Sequence, residues 1–140
     1  SQFTKPEHYT LMSLWGIFKS PLMIGGNMPE NDDFTLSLLT NEDYMTMHRE
    51  SYGAKEIFRN EKNGKGTVIW SANGKKCKYI AIFNTDTKAR KIKADLTGIL
   101  MPDEQYSLYD IWQKSDVGKC KNSITAEVEP HGAKLYRIYQ

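Results

Sequence analysis

Cysteine is scarce in this sequence. Two residues in 140, Cys77 and Cys120, are too few for a disulfide scaffold, and their separation fits no zinc-ligand spacing. A bridge between the two stays open, because strands far apart in sequence can be neighbours in space. Long apolar runs are missing as well: no stretch approaches the roughly 20 residues that a helix needs to cross a bilayer, so no membrane span is expected. An excess of one charge is also lacking. Nineteen basic and seventeen acidic residues leave a formal net charge of +2, which gives nucleic acid little electrostatic attraction. The densest basic stretch, Lys88, Arg90, Lys91 and Lys93, alternates with Ala89, Ile92 and Ala94, the pattern of a strand with one solvated face. The three histidines, His8, His48 and His131, stand apart from other ligand types, so neither a metal nor a cofactor is expected.

What is present divides the chain in two. At the N-terminal end, Thr4 with Glu7 has the capping-box pattern and Pro6 fits a first helical turn. Leu11, Leu14, Trp15 and Phe18 then form one apolar stripe at helical spacing, ending at Ser20 before Pro21. Leu22, Met23 and Ile24, closed by Gly25 and Gly26, read as a strand buried on both faces. Asp32 and Asp33 offer an N-cap for a helix through Leu36 and Leu39, and Thr40 with Asp43 offers one for a short helix through Met47, with Gly53 closing the segment.

From about residue 55 the texture changes to short alternating runs punctuated by Asn63-Gly64, Asn73-Gly74 and Thr97-Gly98. Thr67 to Trp70, Tyr79 to Phe83, Lys91 to Leu96, Tyr106 to Trp112, Ser123 to Val128 and Lys134 to Tyr139 are the strand candidates. Regular short strands imply an antiparallel sandwich or barrel. The expectation is therefore an α+β chain, with residues 1–53 a helix-strand-helix unit and residues 54–140 an all-β antiparallel domain.

The segment LMSLWGIFKSPLMIGGNMPENDDFTLSLLTNEDY, which starts at Leu11, resembles the family 27 glycoside hydrolases, the alpha-galactosidases or melibiases. Its Ser-Leu-Trp helix, Lys-Ser-Pro-Leu-Met-Ile-Gly strand and Leu-Leu-Thr-Asn-Glu helix are similar to the seventh helix, eighth strand and eighth helix of that family's (β/α)₈ barrel. YIAIFN at Tyr79 to Asn84, YDIWQ at Tyr109 to Gln113 and PHGAKLY at Pro130 to Tyr136 resemble its C-terminal β-sandwich domain. Where the family carries Asn-Gln-Asp after the eighth helix, this sequence has His48, Arg49 and Glu50.

The resemblance implies that residues 1–53 are the end of the barrel and residues 54–140 the C-terminal sandwich. It implies an upstream catalytic barrel in the same polypeptide, a carbohydrate substrate for that parent enzyme, and a secreted, periplasmic or lysosomal setting. Retaining glycosidases need two carboxyl groups about 5–5.5 Å apart. In this family both are aspartates on earlier barrel strands, matched by no residue here, so no catalytic residue is assigned and the chain is expected to be inactive alone. Asn27, just past Gly25-Gly26 at the mouth of a barrel, is the single candidate for substrate binding.

The other acids have structural explanations. Asp32 and Asp33 suit a helix start, Asp103 and Glu104 follow Pro102 in a turn, and Glu127 and Glu129 share a solvated strand face. A non-catalytic carbohydrate-binding module is the competing function, with Trp70 and Trp112 as the aromatics that would stack on sugar rings. Self-association through the apolar helix stripe is a third possibility.

Overall fold

The computed structural model describes residues 41–140. The helices and strand expected before Asn41, and with them Asn27, lie outside the described residues. Within these, one helix, α1 (Glu42–Glu50), precedes eight strands: β1 (Tyr52–Lys62), β2 (Lys65–Gly74), β3 (Cys77–Asn84), β4 (Arg90–Asp95), β5 (Tyr106–Asp110), β6 (Ser115–Cys120), β7 (Ser123–Val128) and β8 (Ala133–Tyr139). Every strand pairing is antiparallel. Six strands form one sheet in the order β1-β2-β3-β8-β5-β6, and β4 pairs with β7 in a second.

Two-residue periodicity assigns the two faces of the large sheet to different neighbours. On β3, Ile80 and Ile82 point into a cluster shared with Ile92 and Ala94 of β4 and Ile124, Ala126 and Val128 of β7. This is the sandwich core, and each fully buried aliphatic side chain in it contributes about 1.5–3 kcal/mol relative to exposure. Tyr79, Ala81 and Phe83 point the other way, into a cluster with Tyr44 and Met47 of α1. The large sheet is thus covered on both faces, which explains why YIAIFN carries no polar alternation. On β4, Ile92 and Ala94 are buried while Lys91 and Lys93 are exposed, as the alternation of basic and apolar residues implies.

Turn chemistry sets the register. Asn63 and Gly64 join β1 to β2 with φ of 57° and 75°, the doubly left-handed geometry of a two-residue hairpin turn. Asn73-Gly74 differs from expectation: these residues stay paired, opposite Lys78 and Cys77, and the turn is made by Lys75 and Lys76. Gly74 is needed for space, since a Cβ there would lie 2.5 Å from the ring of Tyr79 and 2.6 Å from Cys77 Sγ. Gly53 also closes no segment; it lies inside β1, at φ 67°. Ile111 and Trp112, read as strand, belong to the turn after β5. Cys77 and Cys120 are free thiols.

Candidate functional site

The face of the large sheet that meets α1 gathers the densest set of specific polar contacts to that helix. Asn41, not Thr40, caps α1: its Oδ1 accepts a hydrogen bond from the Tyr44 amide at 3.0 Å. Its Nδ2 simultaneously donates to the Ile111 carbonyl at 2.7 Å. One buried amide therefore both starts the helix and ties it to the turn after β5.

In the first turn of the helix, Asp43 accepts from Tyr109 Oη at 3.0 Å and from Arg137 Nη1 at 3.1 Å. Tyr109 on β5 and Arg137 on β8 stand directly opposite each other. The guanidinium also lies over the Tyr109 ring at 4.9 Å and the Tyr139 ring at 5.3 Å, within cation–π range. Burial, with the bond to Asp43 second, raises the Tyr109 pKa and keeps its hydroxyl a donor.

Beneath this polar clasp the contact is apolar. Tyr44 and Met47 are fully buried, and the Tyr44 ring stacks on Trp112 with centroids 5.0 Å apart and planes 28° apart. The Tyr44 hydroxyl has no hydrogen-bond partner among the described residues, and burial pushes its pKa up. His48 and Arg49 fall in the last turn of α1, where positive charge suits the helix dipole.

Among the described residues no other sequence candidate forms a chemical centre. Asp110 is the one buried carboxyl among the described residues, and burial raises its pKa. It accepts from the Gln113 amide at 2.9 Å and faces Lys134 Nζ at 3.9 Å, the arrangement of a turn clamp. Asp103 and Asn122 bond each other across two loops, and Glu104, Glu127 and Glu129 are exposed. His131 sits in the turn before β8 at φ 54°. Among the described residues no group of three potential metal ligands converges, and no helix is long and apolar enough to cross a membrane. Burial raises the pKa of both thiols, which works against a nucleophilic role. Trp112 is only 8% exposed, and Trp70 is half-buried against the same cluster, so Trp112 presents no open face to a sugar.

Sequence reasoning missed Asn41, Asn84 and Arg137. Asn84 closes YIAIFN and is buried; its Nδ2 reaches the carbonyls of Lys88, Val128 and Glu129 at 2.8, 2.9 and 3.1 Å, and its Oδ1 accepts from the Asp86 amide at 2.9 Å. An amide at the end of an apolar run is the one signal that could have marked it.

Residues 64–138 match the alpha galactosidase C-terminal beta sandwich domain. Alpha-galactosidase D of Emericella nidulans is 32% identical over 138 residues, covering 96% of this chain and 20% of that protein. Alpha-galactosidase 2 of Arabidopsis thaliana is 28% identical over 138 residues, covering 96% and 34%. A family 27 β-L-arabinopyranosidase from Geobacillus stearothermophilus superposes with a TM-score of 0.86 at 36% identity, over 99% of this chain and 31% of that one. Alpha-galactosidase I from Mortierella vinacea shares the fold, with a TM-score of 0.84 at 20% identity. The chain thus spans between about a fifth and a third of the length of these curated relatives. With the family match extending over more than half of its residues, the chain belongs to the alpha-galactosidase C-terminal β-sandwich family, as the C-terminal part of a family 27, alpha-galactosidase-like glycoside hydrolase.

Proposed function

We propose that the longer protein hydrolyses terminal α-galactosyl or closely related glycosidic bonds with retention of anomeric configuration, and that this chain supplies a non-catalytic, stabilising end to it. The observation that carries this reading is the superposition over 99% of the chain on only 31% of a 36%-identical family 27 glycosidase. Retention requires a nucleophilic carboxylate on one side of the anomeric carbon and a carboxylic acid on the other. Asp110, the one buried carboxyl among the described residues, is held by a turn amide and faces a lysine, and both reacting groups are assigned to an upstream barrel in the same polypeptide.

In this reading the residues before β1 are the end of that barrel, the sandwich starts at Tyr52 rather than at residue 54 because Tyr52 and Gly53 already lie in β1, and Asn27 reaches the substrate from the barrel mouth. The Asn41, Asp43 and Tyr44 contacts then hold the last barrel helix to the sheet. Burying that helix face leaves less of the barrel end open to solvent, which is the stabilising role proposed.

The test uses the longer protein encoded by the gene. Its product from a nitrophenyl α-galactoside, followed by proton NMR, is expected to appear first as the α-anomer. A parallel assay on a nitrophenyl β-L-arabinopyranoside decides between the two sugar classes. A first-formed β-anomer on the galactoside, or coding sequence without two barrel aspartates ahead of Ser1, contradicts the proposal.

A further inference from the structure

One end of the large sheet carries a groove that no part of the hydrolytic reading uses. Its main hollow, of about 490 Å³, is lined by Tyr52, Asn73, Lys76, Lys78, Tyr106 and Tyr139 among others. That volume is in the range of roughly 300–1,000 Å³ typical of small-ligand sites. A smaller hollow of about 130 Å³ adjoins it through Asn73 and Lys78 and adds Lys55 and Ser71. Strand pairing explains the convergence. Tyr52 opens β1 opposite Asn73 near the end of β2, Tyr139 closes β8 beside Ser107 of β5, and the β2–β3 turn lifts Lys76 at φ 60°.

The groove has two chemical characters. Tyr52 is 64% exposed, so its ring presents an open face. Tyr106 Oη is oriented by the Met101 amide, and one face of Tyr139 is occupied by Arg137. These fixed rings suit the C–H face of a saturated sugar ring. The charge is of one sign: among the described residues, lysines line both hollows and no acidic side chain does. Lys78 Nζ is hydrogen-bonded to Asn73 Oδ1 rather than to a carboxylate, which holds its positive charge in place without neutralising it.

We propose that this groove binds an acidic oligosaccharide, a uronate-bearing glycan segment, with Tyr52 as the stacking platform and Lys76 and Lys78 as partners for sugar carboxylates. Asn73 supplies hydrogen bonds to hydroxyls along the same path. The proposal does not depend on the hydrolytic reading, since binding requires no turnover.

The test is calorimetric titration of the whole chain at low ionic strength with tetragalacturonate, with neutral galactotetraose of equal length, and with inorganic phosphate. Saturable binding is expected for tetragalacturonate, at least about tenfold tighter than for galactotetraose, with no displacement by equimolar phosphate. Tyr52→Ala is expected to weaken it about fivefold, the effect of one lost ring contact. Lys76→Gln with Lys78→Gln is expected to weaken it about tenfold, while leaving galactotetraose unaffected. These side chains lie outside both apolar clusters, so unchanged thermal melts are expected to separate lost binding from lost folding. Absence of saturable binding, equal affinity for the neutral sugar, displacement by phosphate, or indifference to these substitutions in folded protein would each overturn the proposal.

Discussion

Replacing Asn84 is expected to cost more stability than any other single polar change in the sandwich. Its Nδ2 serves three backbone carbonyls at 2.8–3.1 Å with two hydrogens, and its Oδ1 holds the Asp86 amide, all at a site 1% exposed. Removing the side chain forfeits about 1 kcal/mol per net hydrogen bond and leaves at least one buried carbonyl unsatisfied, for a total of about 3 kcal/mol. In a chain of this size that lowers Tm by about 10 °C.

Asn84→Asp keeps the volume and separates packing from hydrogen bonding. Facing three carbonyl oxygens in a buried site, the introduced carboxyl should have its pKa raised above the unfolded value of about 3.9. A raised folded-state pKa means that its contribution is fully present below about pH 3.9 and is lost as pH rises through the folded value. The deficit against the parent chain should therefore widen by about 1.4 kcal/mol per pH unit above about pH 4 until that value is reached. Urea unfolding of the parent, Asn84→Ala and Asn84→Asp at about pH 4 and pH 7 measures both effects. An Asn84→Ala cost under about 1 kcal/mol, or an Asn84→Asp deficit that is the same at both pH values, refutes the reasoning.

The Asp43–Arg137 pair, half-buried and shared with Tyr109, should show a coupling of about 1 kcal/mol in an Asp43→Asn and Arg137→Met double-mutant cycle; strict additivity would remove the clasp from the account. Burial raises the Asp110 pKa, so that residue's contribution to stability is present below its unfolded pKa and lost as pH rises through the folded one. Asp110→Asn, which keeps an oxygen for the Gln113 amide, should therefore gain on the parent from acid to neutral pH in urea unfolding, and a constant difference would contradict this. Trp112→Ala removes the ring stacked on Tyr44 and should cost about 3–5 kcal/mol. The near-ultraviolet circular dichroism of the folded variant should fall with it, and an unchanged spectrum would mean that the stack contributes nothing ordered.

Strands that bury an apolar face or an apolar run in a core were legible in the sequence. Ser123 to Val128 matches β7, and Tyr79 to Phe83 lies within β3, because alternation and apolar runs report burial directly. The two edge strands of the large sheet were not. β1 carries Lys55, Glu56, Arg59 and Glu61 and is mostly exposed, while β6 buries only Cys120; at an edge, charge that discourages pairing with other chains also erases the strand signal. The turn at Lys75-Lys76 was misplaced because Asn-Gly is a strong turn signal, whereas Gly74 answers to the crowding of Tyr79 and Cys77. The cap fell one residue after Thr40 because Asn41 has a second partner, Ile111, 70 residues away. Asp43 and Arg137 are 94 residues apart, so their contact exists only once β8 has entered the sheet between β3 and β5. The groove of Tyr52, Tyr106 and Tyr139 is likewise made by strand ends that only the fold brings together.

Hydrolysis of a nitrophenyl α-galactoside, measured side by side on this chain and on the longer protein from the same gene, tests most directly the claim that the sandwich end supports chemistry done elsewhere. Turnover by the longer protein and none by this chain is the expected result. Turnover by this chain alone would place the reacting carboxyls within these 140 residues and contradict the account.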